Sequence, residues 1–123
     1  MKKYRILIVD DIYTNRLLLS ELIKTLDYES LEAENGKEAI EVLENNEVDL
    51  VLMDIEMPVM NGTQTCRYIR QNMKAPNNDV PIVALTAHNP NMFFEDFNET
   101  GFNELLTKPY SLDKIIDLIK NLT

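Results

Sequence analysis

Four consecutive apolar residues, Leu50-Val51-Leu52-Met53, stop at a carboxylate, Asp54, and Pro58 follows four residues later. The run is too short for a helix and does not alternate with polar residues. A strand buried on both faces, as in a parallel sheet, accounts for both features. Asp54 then stands where the strand leaves the core, and open α/β sheets bind their ligands at that carboxyl edge. A single acid there is explained equally well as a helix cap or a solvated loop residue. The rest of the chain weighs against that explanation.

The same pattern recurs along the sequence. Tyr4–Val9 reads as a strand whose buried run, Ile6-Leu7-Ile8-Val9, also ends in carboxylates, Asp10 and Asp11. From Thr14 to Leu26, the residues Leu18, Leu19, Leu22, Ile23 and Leu26 recur at helical spacing. Glu29–Ala33 is a more polar strand, suited to a sheet edge. Asn35-Gly36-Lys37-Glu38 has the form of a capping box that opens a helix with Ala39, Ile40 and Leu43 on its apolar side. Asp49–Met53 is the third strand. Asn61-Gly62-Thr63-Gln64 begins another helix, with Cys66, Ile69 and Met73 facing inward.

Lys74–Asp79 is a polar loop. Pro81–Thr86 is a fourth strand, with Pro81 in a first position that needs no ladder donor. A short helix is predicted to run through Phe97. A fifth strand spans Phe102–Thr107, and Ser111 caps a last helix with Leu112, Ile115, Ile116 and Ile119 facing inward.

Five strand–helix units imply a (βα)5 fold: a doubly wound five-stranded parallel sheet covered on both faces, with the flavodoxin-like order 2-1-3-4-5. In that order Asp10, Asp11 and Asp54 converge at the switch point between strands 1 and 3. The 123 residues suit one domain, 1–123, with no output domain in the chain. A net charge of -9 argues against nucleic acid and anionic membranes as partners. It suits a domain that gathers carboxylates around a cation. Cys66 is the one cysteine, which excludes an internal disulfide and suits a small buried residue. Lys2 and Lys3 precede an apolar run too short for a signal peptide, and no run approaches a membrane span, so the cytoplasm is the expected location.

Three converging acids repel one another, and some take up protons unless a cation compensates. Mg²⁺ suits them, since it is a hard ion that binds one or two carboxylates together with waters and phosphate oxygens. One Cys and one His exclude a structural zinc site. The fourth strand ends in a hydroxyl, Thr86, and the fifth is followed by an ammonium, Lys108. Carboxylate, hydroxyl, ammonium and cation together suit a transferring phosphoryl group, with the carboxylate as nucleophile.

The pieces Ile8-Val9-Asp10-Asp11, Met53-Asp54-Ile55-Glu56-Met57-Pro58, Asn61-Gly62, Leu85-Thr86-Ala87 and Lys108-Pro109 resemble the receiver domain of bacterial two-component response regulators over essentially the whole chain. The wording from Met53 to Gly62 is similar to receivers fused to hybrid histidine kinases. The resemblance implies that Asp54 accepts a phosphoryl group from a phosphohistidine of a sensor histidine kinase or a histidine phosphotransfer protein. It implies a Mg²⁺ ion held by Asp10, Asp11, Asp54 and the backbone carbonyl of Glu56. Thr86 and Lys108 would stabilise the phosphoryl group, and the Lys108-Pro109 bond would be cis. Glu56 and His88 would tune phosphoryl lifetime. Such a domain catalyses its own phosphorylation and dephosphorylation, with no separate turnover substrate.

Two features depart from that pattern or extend it. Many receivers carry an aromatic switch residue where this chain has Leu105, which is expected here to pack in the core. Phe93, Phe94 and Phe97 cannot easily all point inward from one short helix. The resemblance implies an output or homodimer face made of the fourth helix, fifth strand and fifth helix.

Competing readings lack features they need. A phosphohydrolase of the haloacid-dehalogenase type has its two aspartates separated by one residue after strand 1. A flavodoxin-like binder needs a glycine- and hydroxyl-rich loop where this chain has Asp11-Ile12-Tyr13-Thr14-Asn15-Arg16. A phosphorylation-independent pseudo-receiver would have no need of the five site residues present here.

Overall fold

In the computed structural model, which describes residues 4–86, 100–108 and 111–122, the buried runs become five parallel strands. They are β1 (Arg5–Val9), β2 (Glu29–Ala33), β3 (Leu50–Asp54), β4 (Ile82–Thr86) and β5 (Glu104–Thr107). Their order is β2-β1-β3-β4-β5, as the sequence predicts. The described helices are α1 (Tyr13–Thr25), α2 (Gly36–Asn45), α3 (Gly62–Asn72) and α4 (Leu112–Leu122), with a 3-10 turn at Asn77–Asp79. The predicted helix through Phe97 lies outside the described residues, as do His88, Phe93, Phe94, Phe97 and Pro109.

Alternation along each central strand builds two cores. Leu7, Val9, Val51, Met53, Ile82 and Ala84 point to one face, where Ala39, Leu43, Cys66 and Ile69 of α2 and α3 cover them. Ile6, Ile8, Leu50, Leu52, Val83 and Leu85 point to the other, under Leu19 and Ile23 of α1 and Ile115 and Ile119 of α4. Each fully buried Leu or Ile contributes about 1.5–3 kcal/mol of transfer free energy. The continuous apolar runs thus have a physical cause: both faces of these strands exclude water. β2, at the edge, is only partly buried and keeps its polar residues.

The helix starts are chemically marked. Asn61 accepts a bond from the Gln64 N–H (2.8 Å), and the Gln64 side chain accepts one from the Asn61 N–H (3.0 Å), a complete capping box. Asn35 accepts from the Glu38 N–H at 2.9 Å, but Glu38 reaches back to the Glu34 N–H instead of that of Asn35. The Ser111 hydroxyl accepts from the Lys114 N–H at 3.2 Å, capping α4.

The exposures fix the phase of α1 and correct one inward assignment, that of Leu112. Leu18 is 51% exposed: the buried stripe of α1 is Arg16, Leu19, Ser20, Leu22 and Ile23, and Leu18 lies to its side. Leu112, in the first turn of α4, is 44% exposed, while Ile115 and Ile119 are buried and Ile116 packs partly against the core. Among the described residues, no helix is long and apolar enough to cross a membrane.

Candidate phosphoryl-acceptor site

The carboxyl ends of β1 and β3 are adjacent, because Val9 pairs with Met53. Asp10 and Asp11 follow β1, and Asp54 closes β3. Ligand oxygens of all three acids lie within 4.8 Å of one another. Asp10 and Asp54 are buried, and Asp11 is exposed at the rim. The site is therefore half inside the protein, with one open side.

The neighbouring strands bring the other groups by register. Asp54 pairs with Leu85, which puts Thr86 one residue beyond it, and Thr86 pairs with Thr107, which puts Lys108 one beyond that. The Lys108 N–H bonds the Thr86 carbonyl at 2.6 Å. The Lys108 ammonium lies 3.5 Å from Asp54 Oδ1 and 3.9 Å from Asp10 Oδ2. One cation thus bridges the two buried acids. Thr86 is fully buried at the end of β4.

Burial pushes the Asp54 carboxyl above its ordinary range. The Lys108 charge opposes this, the Asp10 charge adds to it, and bonds from the Glu56 N–H and Lys108 favour the ionised form. The Glu56 N–H to Asp54 Oδ1 distance is 3.4 Å. A second cation at the open side would favour ionised Asp54. Three hard oxygen donors with room for water suit Mg²⁺ and offer nothing to a soft metal.

The loop after Asp54 is fixed by close backbone contacts. The Gly62 N–H bonds the Ile55 carbonyl (2.9 Å), and the Gly36 N–H bonds the Met60 carbonyl (3.1 Å). Within this loop Val59 has a φ of 71° and is 77% exposed. The left-handed region is costly for a β-branched residue.

The structure gathers Asp10, Asp11, Asp54, Thr86 and Lys108 at one sheet edge, with Glu56 beside them. Leu105 lies on β5, partly buried against the α2/α3 core, in line with packing. His88 and the three phenylalanines lie outside the described residues. Sequence reading passed over Asn15 and Arg16. The Asn15 amide donates to Asp10 Oδ2 at 3.2 Å, and Arg16 Nη1 donates to the Asp10 carbonyl at 2.8 Å. The available signal was position: Arg16 stands three residues before Leu19, on the stripe that must face inward.

The family described as "Response regulator receiver domain" matches residues 6–120. Sporulation initiation phosphotransferase F of Bacillus subtilis is 32% identical over 120 residues, covering 98% of this chain and 94% of that protein. Histidine kinase P4 of Formosa agariphila is 35% identical over 121 residues, but the chain spans only 9% of that protein. Among solved structures, response regulator TrrA of Thermotoga maritima, in complex with Mg²⁺-BeF, superposes with a TM-score of 0.84 at 33% identity. That match covers 98% of this chain and 99% of TrrA.

Proposed function

The chain belongs to the response regulator receiver domain family, and from that membership we propose that Asp54 takes a phosphoryl group from a phosphohistidine and thereby acts as a signalling switch. The observation that carries the reading is the convergence of three acids with the Lys108 ammonium 3.5 Å from Asp54. In the transfer, an ionised Asp54 oxygen forms the new bond to phosphorus. The phosphorus–nitrogen bond of the donor breaks, and its electron pair returns to the imidazole. The product is an aspartyl phosphate.

Asp10, Asp11, Asp54 and the Glu56 carbonyl hold Mg²⁺ in this reading. When bound, the ion supplies positive charge for the phosphoryl oxygens. Lys108 neutralises a further oxygen, and Thr86 donates its hydroxyl. Glu56, whose side chain is exposed, and His88 tune the lifetime of the phosphoryl group in this reading. The donor is a sensor histidine kinase or a histidine phosphotransfer protein, met in the cytoplasm on the open side of the site. β5 and α4 contribute to an output or homodimer face in this reading. The Mg²⁺-BeF complex of TrrA supports a site of this kind.

Thermal melting tests the reading. A ligand that binds only the folded state raises the melting temperature by mass action. Mg²⁺ with beryllofluoride, a mimic of the aspartyl phosphate, is expected to raise it well beyond Mg²⁺ alone, and Asp54→Asn is expected to abolish that second increment. An equal response in Asp54→Asn would show that Asp54 is not the acceptor. No response in either protein would favour a phosphorylation-independent interaction module.

A further inference from the structure

We propose that Arg16 is a positioning residue of the acid site, holding Asp10 in place for the cation. The inference rests on the Mg²⁺ reading above. Arg16 is buried, with 8% of its side chain exposed, although it carries a full charge. Burying a guanidinium is unfavourable unless its donors are occupied. Here they are spread over three anchors. Nη1 donates to the Asp10 carbonyl at 2.8 Å, Nε donates to Glu32 on β2 at 3.1 Å, and Nη2 lies 3.7 Å from Glu34. The guanidinium also lies over the Tyr13 ring, 5.6 Å from its centroid.

The main-chain bond lands on the residue that most needs to be fixed. Asp10 Oδ1 accepts from the Ile12 N–H at 2.9 Å, and Oδ2 accepts from the Asn15 amide at 3.2 Å. With Arg16 on its carbonyl, Asp10 is held at three points by the start of α1. Its carboxylate therefore has one orientation before any ion arrives. Groups that orient a metal ligand in this way typically change metal affinity about 10–100-fold when removed.

The alternative is that Arg16 only ties α1 to the edge strand β2. Charge separates the two ideas. Arg16 is a cation close to a cation site, so Coulomb repulsion alone predicts that its removal tightens Mg²⁺ binding. Positioning predicts the opposite sign. Lysine would keep the charge but lose the planar fork that reaches the carbonyl and Glu32 together.

The test is calorimetric titration of Mg²⁺ into the wild-type chain, Arg16→Gln and Arg16→Lys, with melting curves for each. Both variants are expected to bind Mg²⁺ about tenfold or more weakly. Arg16→Lys carries the test alone if Arg16→Gln does not fold. Unchanged or tighter binding in a variant that melts cooperatively would overturn the inference while leaving the Mg²⁺ reading intact. A wild-type chain that does not bind Mg²⁺ would overturn both.

Discussion

Gly62 opens α3 directly against the backbone of Asp54. A Cβ at position 62 would lie 2.5 Å from the Asp54 carbonyl oxygen and 2.8 Å from the Ile55 Cα. Both obstacles are backbone, so relief requires the helix start or the end of β3 to move. Gly62→Ala is expected to cost about 1–3 kcal/mol, the usual range for overpacking, and to displace Asp54 from Lys108. Urea denaturation reads the first effect. The second would appear as a smaller melting increment with Mg²⁺ and beryllofluoride.

Asp54 destabilises the metal-free fold at neutral pH. Its folded pKa is raised by burial, so between the unfolded and folded pKa values the folded state keeps a proton that the unfolded state has released. Stability therefore falls as pH rises from the ordinary value of 3.8 through the folded pKa. Below that window both states are protonated and the effect vanishes. Without Mg²⁺, Asp54→Asn is expected to melt higher than the wild type at pH 7 and equally at the acid end of the window. Melting curves against pH in a chelating buffer check this, and a lower melting point for the variant at pH 7 would refute it.

The legible part of this protein was whatever repeats or ends abruptly. Ile6–Val9, Leu50–Met53 and Ile82–Leu85 are buried on both faces, so their sequence carries no other information and reads directly as central strands. Asp10, Asp54, Thr86 and Lys108 were legible because each marks the point where a run stops, and register alone brings those points together. Three leucines in succession, Leu17 to Leu19, leave the phase of the α1 stripe ambiguous. Arg16 and Ser20 fix that phase, and neither is apolar. The inward place of Arg16 follows from its spacing to Leu19, but its partners do not: the Asp10 carbonyl, Glu32 and Glu34 come from other elements and follow no local spacing.

Cys66 provides an internal probe of opening. Its thiol is buried on α3, donates to the Thr100 carbonyl at 3.5 Å, and is pushed up to about 11 by burial. The thiolate is the reactive form. Alkylation at pH 8 is expected to be slow in buffer and fast in urea, at a rate that follows the population of open chains. The raised pKa also means that stability falls as pH rises from 9.0 towards 11, because only the unfolded thiol ionises in that window. Cys66→Ala should remove that slope. Rapid labelling in buffer would show that α3 opens separately from the sheet.

Neighbouring leucines on α1 separate burial from hydrophobicity. Leu19 is fully buried between α1 and the sheet, beside Ile23 and the β1 and β3 side chains of its cluster. Leu19→Ala removes those contacts and leaves a cavity, at an expected cost of about 2–5 kcal/mol. Leu18 is half exposed, and a substitution there touches no core contact. Leu18→Lys should therefore stay within about 0.5 kcal/mol of the wild type. Lysine also suits a helix as well as leucine does, so propensity does not offset the comparison. Urea midpoints for the two variants decide the phase of the helix. A large loss at Leu18 with a small one at Leu19 would mean that α1 is rotated from the orientation described, and with it the placement of Arg16 on the Asp10 carbonyl.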